Sequence, residues 1–186
     1  MDELIDVLDT DGNYTGKTIL KSKAHAEGIF HPTVHIWFYT TDGLIVIQQR
    51  GKTKKVFPLL WDVSVAGHIG AGEPIINAAL REIEEEIGIK VSESELCKIG
   101  VFKASHTHTP ILIDNEFHHT FLCELKVPFE TLIKQDAEIE NLTLIDLATF
   151  SVETCKHLNP PKYVPHGTEY YKTIITEIHN RLKKPA

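Results

Sequence analysis

The sequence predicts an α/β fold in which helices pack on a mixed β-sheet within a single domain. Three observations indicate this class. Strand-like segments dominate the first part of the chain, an amphipathic helix follows in the middle, and another helix comes last. The length of 186 residues suits one domain with its own core. The hydrophobic fraction of 42% and the charged fraction of 24% are ordinary for a globular protein.

The N-terminal part of the chain predicts a hairpin, one helical turn and three strands. The apolar runs 4–8 and 18–20 flank Asp11-Gly12, a dipeptide typical of hairpin turns. The helical turn is predicted over 22–27 and ends at Gly28. The strands are predicted at 34–39, 44–48 and 61–66.

The clearest helix is predicted over 74–87. Pro74 suits a first helical position, and Gly88 suits the C-terminal stop. Apolar residues recur along it at three- and four-residue spacing, so they form one stripe that can face a core. The stripe consists of Ile76, Ala79, Leu80, Ile83 and Ile87.

The C-terminal half predicts three more strands and two helices. The strands are expected at 96–102, 116–126 and 142–146. A short helix is expected over 129–136 and a terminal helix over 168–182. We expect one domain over 1–186, with the N-terminal hairpin and the terminal helix as extensions.

Charge and composition exclude several classes of function. The chain has 19 Lys and Arg against 26 Asp and Glu, a net charge of -7. Phosphate backbones bind basic surfaces, so we do not expect a nucleic acid polymer as partner. No apolar run approaches about 18 residues, and the acidic N-terminus lacks a signal-peptide core. We therefore expect a cytoplasmic protein with no membrane partner. Cys97, Cys123 and Cys155 are odd in number and widely spaced, which predicts reduced thiols.

Three glutamates, Glu82, Glu85 and Glu86, share one side of the central helix. Their spacing places the Cβ atoms about 5–6 Å apart, so their charges repel. A solvated acidic face is the ordinary explanation for such a cluster. Here the glutamates border the apolar stripe and follow a glycine-rich turn. Clustered carboxylates bind hard cations such as Mg²⁺ or Mn²⁺, with waters and substrate phosphates completing the shell.

The segment 67–89 resembles the complete signature of the Nudix hydrolase family. All seven fixed positions and both aliphatic positions match. A chance match is on the order of 10⁻⁸ per start site. The flanking strands are compatible with the α/β/α sandwich of that family. The matching residues are Gly67, Glu73, Arg81, Glu82, Ile83, Glu85, Glu86, Gly88 and Ile89.

The Nudix resemblance implies that Glu82, Glu85 and Glu86 hold Mg²⁺ or Mn²⁺. One of them, or a carboxylate from a later loop, would activate a water molecule. The implied reaction is cleavage of a diphosphate linked to another moiety, in a nucleoside diphosphate derivative or another small organic diphosphate.

The same resemblance implies supporting roles for four other matched residues. Arg81 and Glu73 would pair and brace the loop against the helix, which places Arg81 beside the catalytic glutamates. Gly67 and Gly88 would allow the turns at the two ends of the signature, and Gly67 would also adjoin the substrate.

A second resemblance, from about residue 3 to residue 125, is to the type I isopentenyl diphosphate isomerases, a branch of the same superfamily. That branch holds a metal with upstream histidines, a histidine that follows the strand before the signature, and two downstream acids. A group of this kind is a plausible metal site. Surface or hydrogen-bonding roles are the alternative for each residue. The matching positions are His25, His31, His68, Asp114 and Glu116.

Two catalytic parts of the isomerases are missing from this sequence. Ala66 stands where the isomerase has its cysteine, and alanine cannot transfer a proton. The isomerases also use a late tryptophan, whereas Trp37 and Trp61 are both early. We therefore expect a hydrolase on an isomerase-like scaffold. An isomerase and a non-catalytic nucleotide-binding domain remain the alternatives.

A basic loop precedes the signature and includes Arg50, Lys52, Lys54 and Lys55. Arg50 and Lys55 are the candidates for binding substrate phosphates, and a solvated loop is the equal alternative. Glu138 is a candidate general base in an acidic stretch that we otherwise interpret as a charged loop. The sequence does not distinguish a monomer from a homodimer.

Four more histidines, in two pairs, resemble metal ligands at first sight. On a strand, alternation places His106 and His108 on one face. Exposed polar positions are the simpler interpretation of these two and of His118 and His119.

Overall fold

The structure is a computed structural model that describes residues 2–156 and 161–183. Within these ranges the chain forms nine strands and four α-helices. In chain order they are β1 (Leu4–Leu8), β2 (Tyr14–Leu20), α1 (Lys21–Glu27), β3 (His31–Tyr39), β4 (Leu44–Arg50), β5 (Trp61–Asp62), β6 (Val65–His68), α2 (Ile75–Ile87), β7 (Cys97–Thr109), β8 (Leu112–Glu124), β9 (Ile139–Asp146), α3 (Leu147–Thr154) and α4 (Thr168–Leu182).

The main sheet has seven strands and is mixed. Its path runs β5-β4-β3-β8-β7, with β6 paired to β3 and β9 paired to β4. Strands β3 and β8 are parallel, and the other pairs are antiparallel. β3 pairs with β6 over 33–36 but meets β4 only at Tyr39, opposite Ile45. β3 and β4 therefore diverge, and this divergence leaves room for a site. The predicted hairpin, β1 with β2, forms a separate two-stranded sheet.

Strand β3 is buried along its whole length, and its side chains contribute to two hydrophobic cores. Side chains alternate between the two faces of a strand. Val34, Ile36 and Phe38 pack in the core that includes α2. Trp37 and Tyr39 pack in the core that includes α3 and α4. This three-layer arrangement confirms the predicted α/β/α sandwich.

One prediction in the C-terminal half was wrong in part, and one helix was missed. The predicted helix over 129–136 is a 3₁₀ turn at Phe129–Thr131 only. The amides of Ile133 and Gln135 instead donate to the last carbonyls of α2, on Ile87 and Glu86. These bonds satisfy a helix end that would otherwise lack partners. Helix α3 was not predicted, although its first residue follows Asp146, whose side chain caps the Thr149 amide at 3.0 Å.

Two predicted strand boundaries also change. The segment predicted as one strand over 61–66 forms β5 and β6, which pair with different neighbours. Strands β7 and β8 are longer than predicted because they form one continuous hairpin from Cys97 to Glu124. Most of the residues between the two predicted strands therefore lie on β7 and β8.

No helix in the described ranges is both long and apolar enough to cross a membrane. The three cysteines are free thiols, as predicted, with Cys123 buried and Cys97 and Cys155 exposed.

Candidate active site

Helix α2 presents its three glutamates at different depths. Glu82 and Glu86 are buried beside the apolar residues Ala79 and Ile83, whereas Glu85 is exposed. The helix ends at Gly88, whose φ of 72° is the left-handed conformation that glycine adopts without strain. The three carboxylates thus occupy the boundary between the core and a cavity.

The strand that precedes the signature lies directly against these carboxylates. A Cβ atom on Gly67 would lie 1.9 Å from the Glu82 Cδ atom, so only glycine fits at this position. The Ala66 amide and the Gln48 side-chain amide donate to the same Glu86 oxygen, at 3.2 Å and 3.0 Å. Gly67 therefore provides the close approach of β6 to α2.

Arg81 connects the signature loop to the helix. Its Nε and Nη2 donate to the two oxygens of Glu73, each at 3.0 Å, which is the pair that the resemblance implied. Its Nη1 contacts Glu82 at 2.8 Å and Glu85 at 3.1 Å. Its Nη2 also donates to the His68 carbonyl at 3.0 Å. One guanidinium thus fixes two glutamates relative to β6.

Burial disfavours the charged forms of the two inner glutamates. It raises the pKa of Glu82, although the Arg81 charge opposes the shift. Burial, followed by the charge of Glu82, raises the pKa of Glu86 to about 8. Arg81 contacts Glu82 but is shared with Glu73 and Glu85, and Glu86 forms no ion pair within the described ranges. A divalent cation with oxygen ligands fits this donor set because it would offset both charges.

A group of three histidines and one acid lies in the same cavity. One ligand atom each of His25, His31, His68 and Glu116 lies within 4.8 Å of the others. They come from α1, β3, β6 and β8. The sheet register explains part of the convergence, because His31 is opposite Glu116 on β8. Thr33, two residues along the same face of β3, is opposite His68 on β6.

The hydrogen bonds of this group also fit a cation. His31 Nδ1 lies 2.9 Å from the Ile29 carbonyl, which can only accept. A neutral His31 ring then has its lone pair on Nε2, which lies 3.5 Å from a Glu116 carboxylate oxygen. Two lone pairs that face each other repel. A metal ion between them would remove the repulsion, and imidazole nitrogen suits zinc, iron, copper or nickel.

Asp114 lies behind this group rather than within it. Its two oxygens are 2.8 Å from His25 Nδ1 and 3.0 Å from His108 Nε2. Burial lowers the pKa of His25, but the carboxylates of Asp114 and Glu116 raise it overall. The structure thus gives Asp114 an orienting position, where the resemblance had implied a ligand.

Both groups lie at one cavity of about 620 Å³, which all their members except the fully buried His31 line. Of the predicted phosphate-binding residues, Arg50 also lines it, but its guanidinium is bonded to Asp62 at 2.8 Å and to the Val56 carbonyl at 3.1 Å. Lys54 pairs with Glu138, the predicted candidate base. Lys55 is exposed and has no ion-pair partner within the described ranges. It is the cation at this cavity that is most available to an anion.

The expectation that His118 and His119 are exposed was wrong. Both are buried, because β8 lies between β3 and β7 in the interior of the sheet. His118 lies beside His35 and His166, two residues that the sequence interpretation missed. The available signal was the alternation along β3, which places His31, Thr33 and His35 on one face.

Comparison with known proteins identifies the family. The model of the NUDIX domain matches residues 29–167. This chain belongs to the Nudix family. An uncharacterised Nudix hydrolase from Clostridium acetobutylicum is 30% identical over 200 residues, which covers 94% of this chain and 96% of that protein.

Two other relatives are a plant Nudix hydrolase and a bacterial isomerase. Nudix hydrolase 3 from Arabidopsis thaliana is 33% identical over 177 residues, covering 92% of this chain but only 23% of that protein. This chain therefore spans less than a quarter of the plant protein. An isopentenyl-diphosphate Delta-isomerase from Serratia proteamaculans is 31% identical over 122 residues, or 66% of each chain. The isomerase-like resemblance is thus confirmed.

Solved structures confirm the fold. DR0079 from Deinococcus radiodurans superposes with a TM-score of 0.67 at 18% identity, covering 91% of this chain and 98% of that one. The NUDIX domain of NrtR from Shewanella oneidensis, determined in complex with ADP ribose, has a TM-score of 0.56 at 15% identity. The alignment covers 82% of this chain and 88% of that domain.

Proposed function

We propose that this chain is a metal-dependent hydrolase that cleaves a diphosphate linkage in a small organic molecule. The observation that carries the proposal is the placement of Glu82, Glu85 and Glu86 along one wall of the cavity. Membership of the Nudix family and relatives named as Nudix hydrolases support the reaction type.

The metal we propose for the three glutamates is Mg²⁺ or Mn²⁺, because both ions prefer oxygen ligands. Such an ion, when bound, offsets diphosphate charge and lowers the pKa of a coordinated water. The buried positions of Glu82 and Glu86 support this assignment, since Arg81 is shared among three glutamates and Glu86 forms no ion pair within the described ranges. Glu85 is exposed, so it can change partner with the least rearrangement of the protein.

The remaining signature residues position these glutamates. Arg81 is held by both oxygens of Glu73 and in turn contacts Glu82 and Glu85. Bidentate pairs between arginine and a carboxylate are geometrically specific. We therefore assign Glu73 and Arg81 to the orientation of the metal-binding helix against β6.

The substrate class we propose is a nucleoside diphosphate derivative or another small diphosphate. The exposed ammonium of Lys55 lies at the cavity, where a phosphate can approach it. The NUDIX domain of NrtR, which is similar in fold, binds ADP ribose. That ligand contains a diphosphate linkage and so supports the class.

A second candidate function is isomerisation of isopentenyl diphosphate. The convergence of His25, His31, His68 and Glu116 favours it, as does the similarity to proteins named as isomerases. The objection is Ala66, which lines the cavity with a methyl group where the isomerases have a cysteine. A methyl group neither donates nor accepts a proton.

A panel of substrates decides between these functions. The protein is stripped of metal, supplied with Mg²⁺ or Mn²⁺, and incubated with nucleoside and prenyl diphosphates while phosphate and pyrophosphate release is measured. We expect metal-dependent release that Glu85→Gln lowers at least about 100-fold. The matched control is Glu84→Gln, on the same helix, because Glu84 is exposed and pairs with Lys90.

Three results would contradict the proposal. Full activity of Glu85→Gln would exclude a role for this glutamate. A shifted double bond in the prenyl samples, detected by NMR without any release, would establish the isomerase and refute the argument from Ala66. Metal-dependent binding without turnover across the panel would indicate a non-catalytic domain.

A further inference from the structure

Phe57 lies at the cavity in a backbone conformation that aromatic residues rarely adopt. It belongs to the connection between β4 and β5, and its φ angle is 46°. For a bulky side chain this left-handed conformation is strained, and strain of this kind is concentrated at functional sites. Phe57 belongs neither to the Nudix signature nor to the glutamates and histidines that could hold a metal. The function proposed above therefore leaves its position unexplained.

Hydrogen bonds on both sides of Phe57 hold the chain in this conformation. Arg50 Nε donates to the Val56 carbonyl at 3.1 Å, and the Leu59 amide donates to the Arg50 carbonyl at 3.1 Å. The Leu60 amide donates to the carbonyl of Phe57 itself at 3.4 Å. The backbone at Phe57 is thus fixed before any ligand binds, which lowers the entropic cost of binding a ligand there.

The ring of Phe57 packs against two histidines of β7. Its centroid lies 4.8 Å from that of His108 and 5.6 Å from that of His106, and the ring planes are nearly perpendicular, at 82° and 88°. This edge-to-face geometry is favourable between aromatic rings. His106 also lines the cavity. Phe57 and His106 thus border the same open space from two different elements of the fold.

His106 adds hydrogen-bonding groups to this part of the cavity. Its side chain is half-buried, and its ring nitrogens make no hydrogen bond within the described ranges. Burial, with smaller contributions from neighbouring histidines, lowers the pKa of His106. The neutral ring has one N–H donor and one nitrogen acceptor. A ligand beside Phe57 therefore meets an apolar ring together with a free donor and a free acceptor.

The third side chain in this part of the cavity is Ile111, at the tip of the hairpin between β7 and β8. Ile111 lines the cavity although it is 77% exposed, so it lies at the entrance. A ligand that covers this side chain removes apolar surface from water, which is favourable. We call Phe57, His106 and Ile111 the entrance subsite.

The entrance subsite lies close to the cation that is most available to a phosphate. Lys55 precedes Phe57 by two residues, so their Cα atoms are at most about 7 Å apart. A group joined to a phosphate at Lys55 can therefore reach Phe57. The cavity volume of about 620 Å³ lies in the range of about 300–1,000 Å³ that is typical of sites for small organic ligands. It thus has room for an organic group as well as a diphosphate.

We propose that the entrance subsite selects the organic part of the substrate, and that this part carries a planar heteroaromatic ring of the nucleobase type. The inference rests on the proposed cleavage of a diphosphate. A base stacks on Phe57 through its π face and exchanges hydrogen bonds with His106 through its edge. A prenyl chain also contacts Phe57 and Ile111, but it leaves the donor and acceptor of His106 without partners. A base alone satisfies all three side chains.

Calorimetric titration with methylene diphosphonates tests this assignment, because these analogues bind as diphosphates do but resist hydrolysis. The probes, each with Mg²⁺, are the α,β-methylene analogues of adenosine, guanosine, cytidine and uridine diphosphate, the isopentenyl analogue, and methylenediphosphonate, which has no organic group. We expect at least one nucleoside analogue to bind at least about tenfold more tightly than methylenediphosphonate. Phe57→Ala should weaken its binding about tenfold and leave methylenediphosphonate unaffected, whereas Phe57→Trp should retain binding.

Two further variants separate the base from an aliphatic chain and from a general effect on the loop. His106→Ala should weaken the nucleoside analogue about fivefold and leave the isopentenyl analogue unchanged. Leu59→Ala is the matched control, because Leu59 lies on the same connection with a φ angle of 63° but does not line the cavity. It should bind every probe as the unaltered protein does.

The binding result does not depend on turnover, so the two proposals can fail separately. Binding of a nucleoside analogue through Phe57 without hydrolysis of any substrate would refute the hydrolase and leave the entrance subsite standing. The subsite is overturned if no nucleoside analogue binds more tightly than methylenediphosphonate, or if Phe57→Ala binds it as tightly as the unaltered protein. Equal losses for the nucleoside and isopentenyl analogues would also overturn it. If Phe57→Ala does not fold, Phe57→Leu provides the same comparison, because it keeps an apolar side chain and removes the aromatic face.

Discussion

The glutamates of α2 and a set of histidines lie at one cavity, but different features of the fold bring the members of each set together. Glu82, Glu85 and Glu86 come from little more than one helical turn, so the helix repeat alone brings them together. The histidines come from α1, three strands and the segment before α4. Their proximity depends on strand register, such as His31 opposite Glu116 and Thr33 opposite His118.

Burial affects the two regions in opposite directions. It raises the pKa of Glu82 and Glu86, and it lowers the pKa of His35 and His118. The neutral form is favoured at these four residues, whereas the pKa of His25 is raised. A carboxylate must lose its proton before it binds a metal ion. The inner glutamates therefore depend on a metal ion for their charge.

The face of β3 that carries the histidines changes character along its length. His31, Thr33 and His35 occupy its first half, and Trp37 and Tyr39 occupy its second half. The first half borders the cavity, and the second half packs in the core with α4. A single strand face thus supplies both the site and the core beside it.

Among substitutions that should affect the glutamates but not the histidines, we expect Gly67→Ala to have the largest effect on activity. The new Cβ atom would lie 1.9 Å from the Glu82 Cδ atom, so the glutamate must leave its position. We expect hydrolysis to fall at least about 100-fold, which is the loss typical of one misplaced transition-state contact. Binding of cobalt by His25, His31, His68 and Glu116 should persist.

The matched control for this substitution is Gly70→Ala. Its Cβ atom would make only an ordinary contact of 3.4 Å with Glu73 Oε2. This variant should retain most of the activity. Equal losses in the two variants would show that the loop tolerates no side chain, and would remove the special role of Gly67.

The difference between the two regions also explains how much the sequence could predict. The Nudix signature is contiguous, so its residues and its helix could be predicted from the sequence pattern, and the resemblance to the family implied the Arg81–Glu73 pair. The trio of His35, His118 and His166 could not be predicted. Residues 35 and 118 meet only through the parallel register of β3 and β8, which no local pattern specifies.

Tertiary contacts explain two other differences from local patterns. Arg50 lines the cavity and remains a candidate phosphate ligand, but its guanidinium bonds to Asp62 because β4 and β5 pair at Gln48 and Asp62. The predicted helix over 129–136 ends early because the amides of Ile133 and Gln135 bond to the end of α2. In both cases a tertiary contact overrides a local preference.

An intermediate effect is expected from Glu86→Gln, on the pH dependence of the stability of the metal-free protein. Because the folded pKa of Glu86, about 8, exceeds its ordinary value of 4.5, the unfolded chain releases this proton first as pH rises. The stabilising contribution of the protonated form is complete below about pH 4.5 and is lost by about pH 8. Glu86→Gln should remove this part of the pH dependence, which amounts to at most about 5 kcal/mol.

Urea unfolding with a chelator present, at several pH values between these limits, measures the difference. Glu84→Gln, which alters an exposed glutamate on the same helix, should unfold with the pH dependence of the unaltered chain. If Glu86→Gln unfolds with the same pH dependence as the unaltered chain, Glu86 is charged in the folded, metal-free protein. The contrast between the inner glutamates and the neutral histidines would then fail.

The smallest effect is expected from a substitution of Asp114, whose Oδ1 lies 2.8 Å from His25 Nδ1. A carboxylate that orients a ligating histidine typically contributes about 10–100-fold to metal affinity. We expect Asp114→Asn to weaken Zn²⁺ binding by His25, His31, His68 and Glu116 about tenfold, because the amide still contacts the ring but lacks the charge. Calorimetric titration of the metal-free protein with Zn²⁺ measures this affinity. Complete loss of binding would show that Asp114 is itself a ligand, and unchanged affinity would show that the contact with His25 has no influence on the metal.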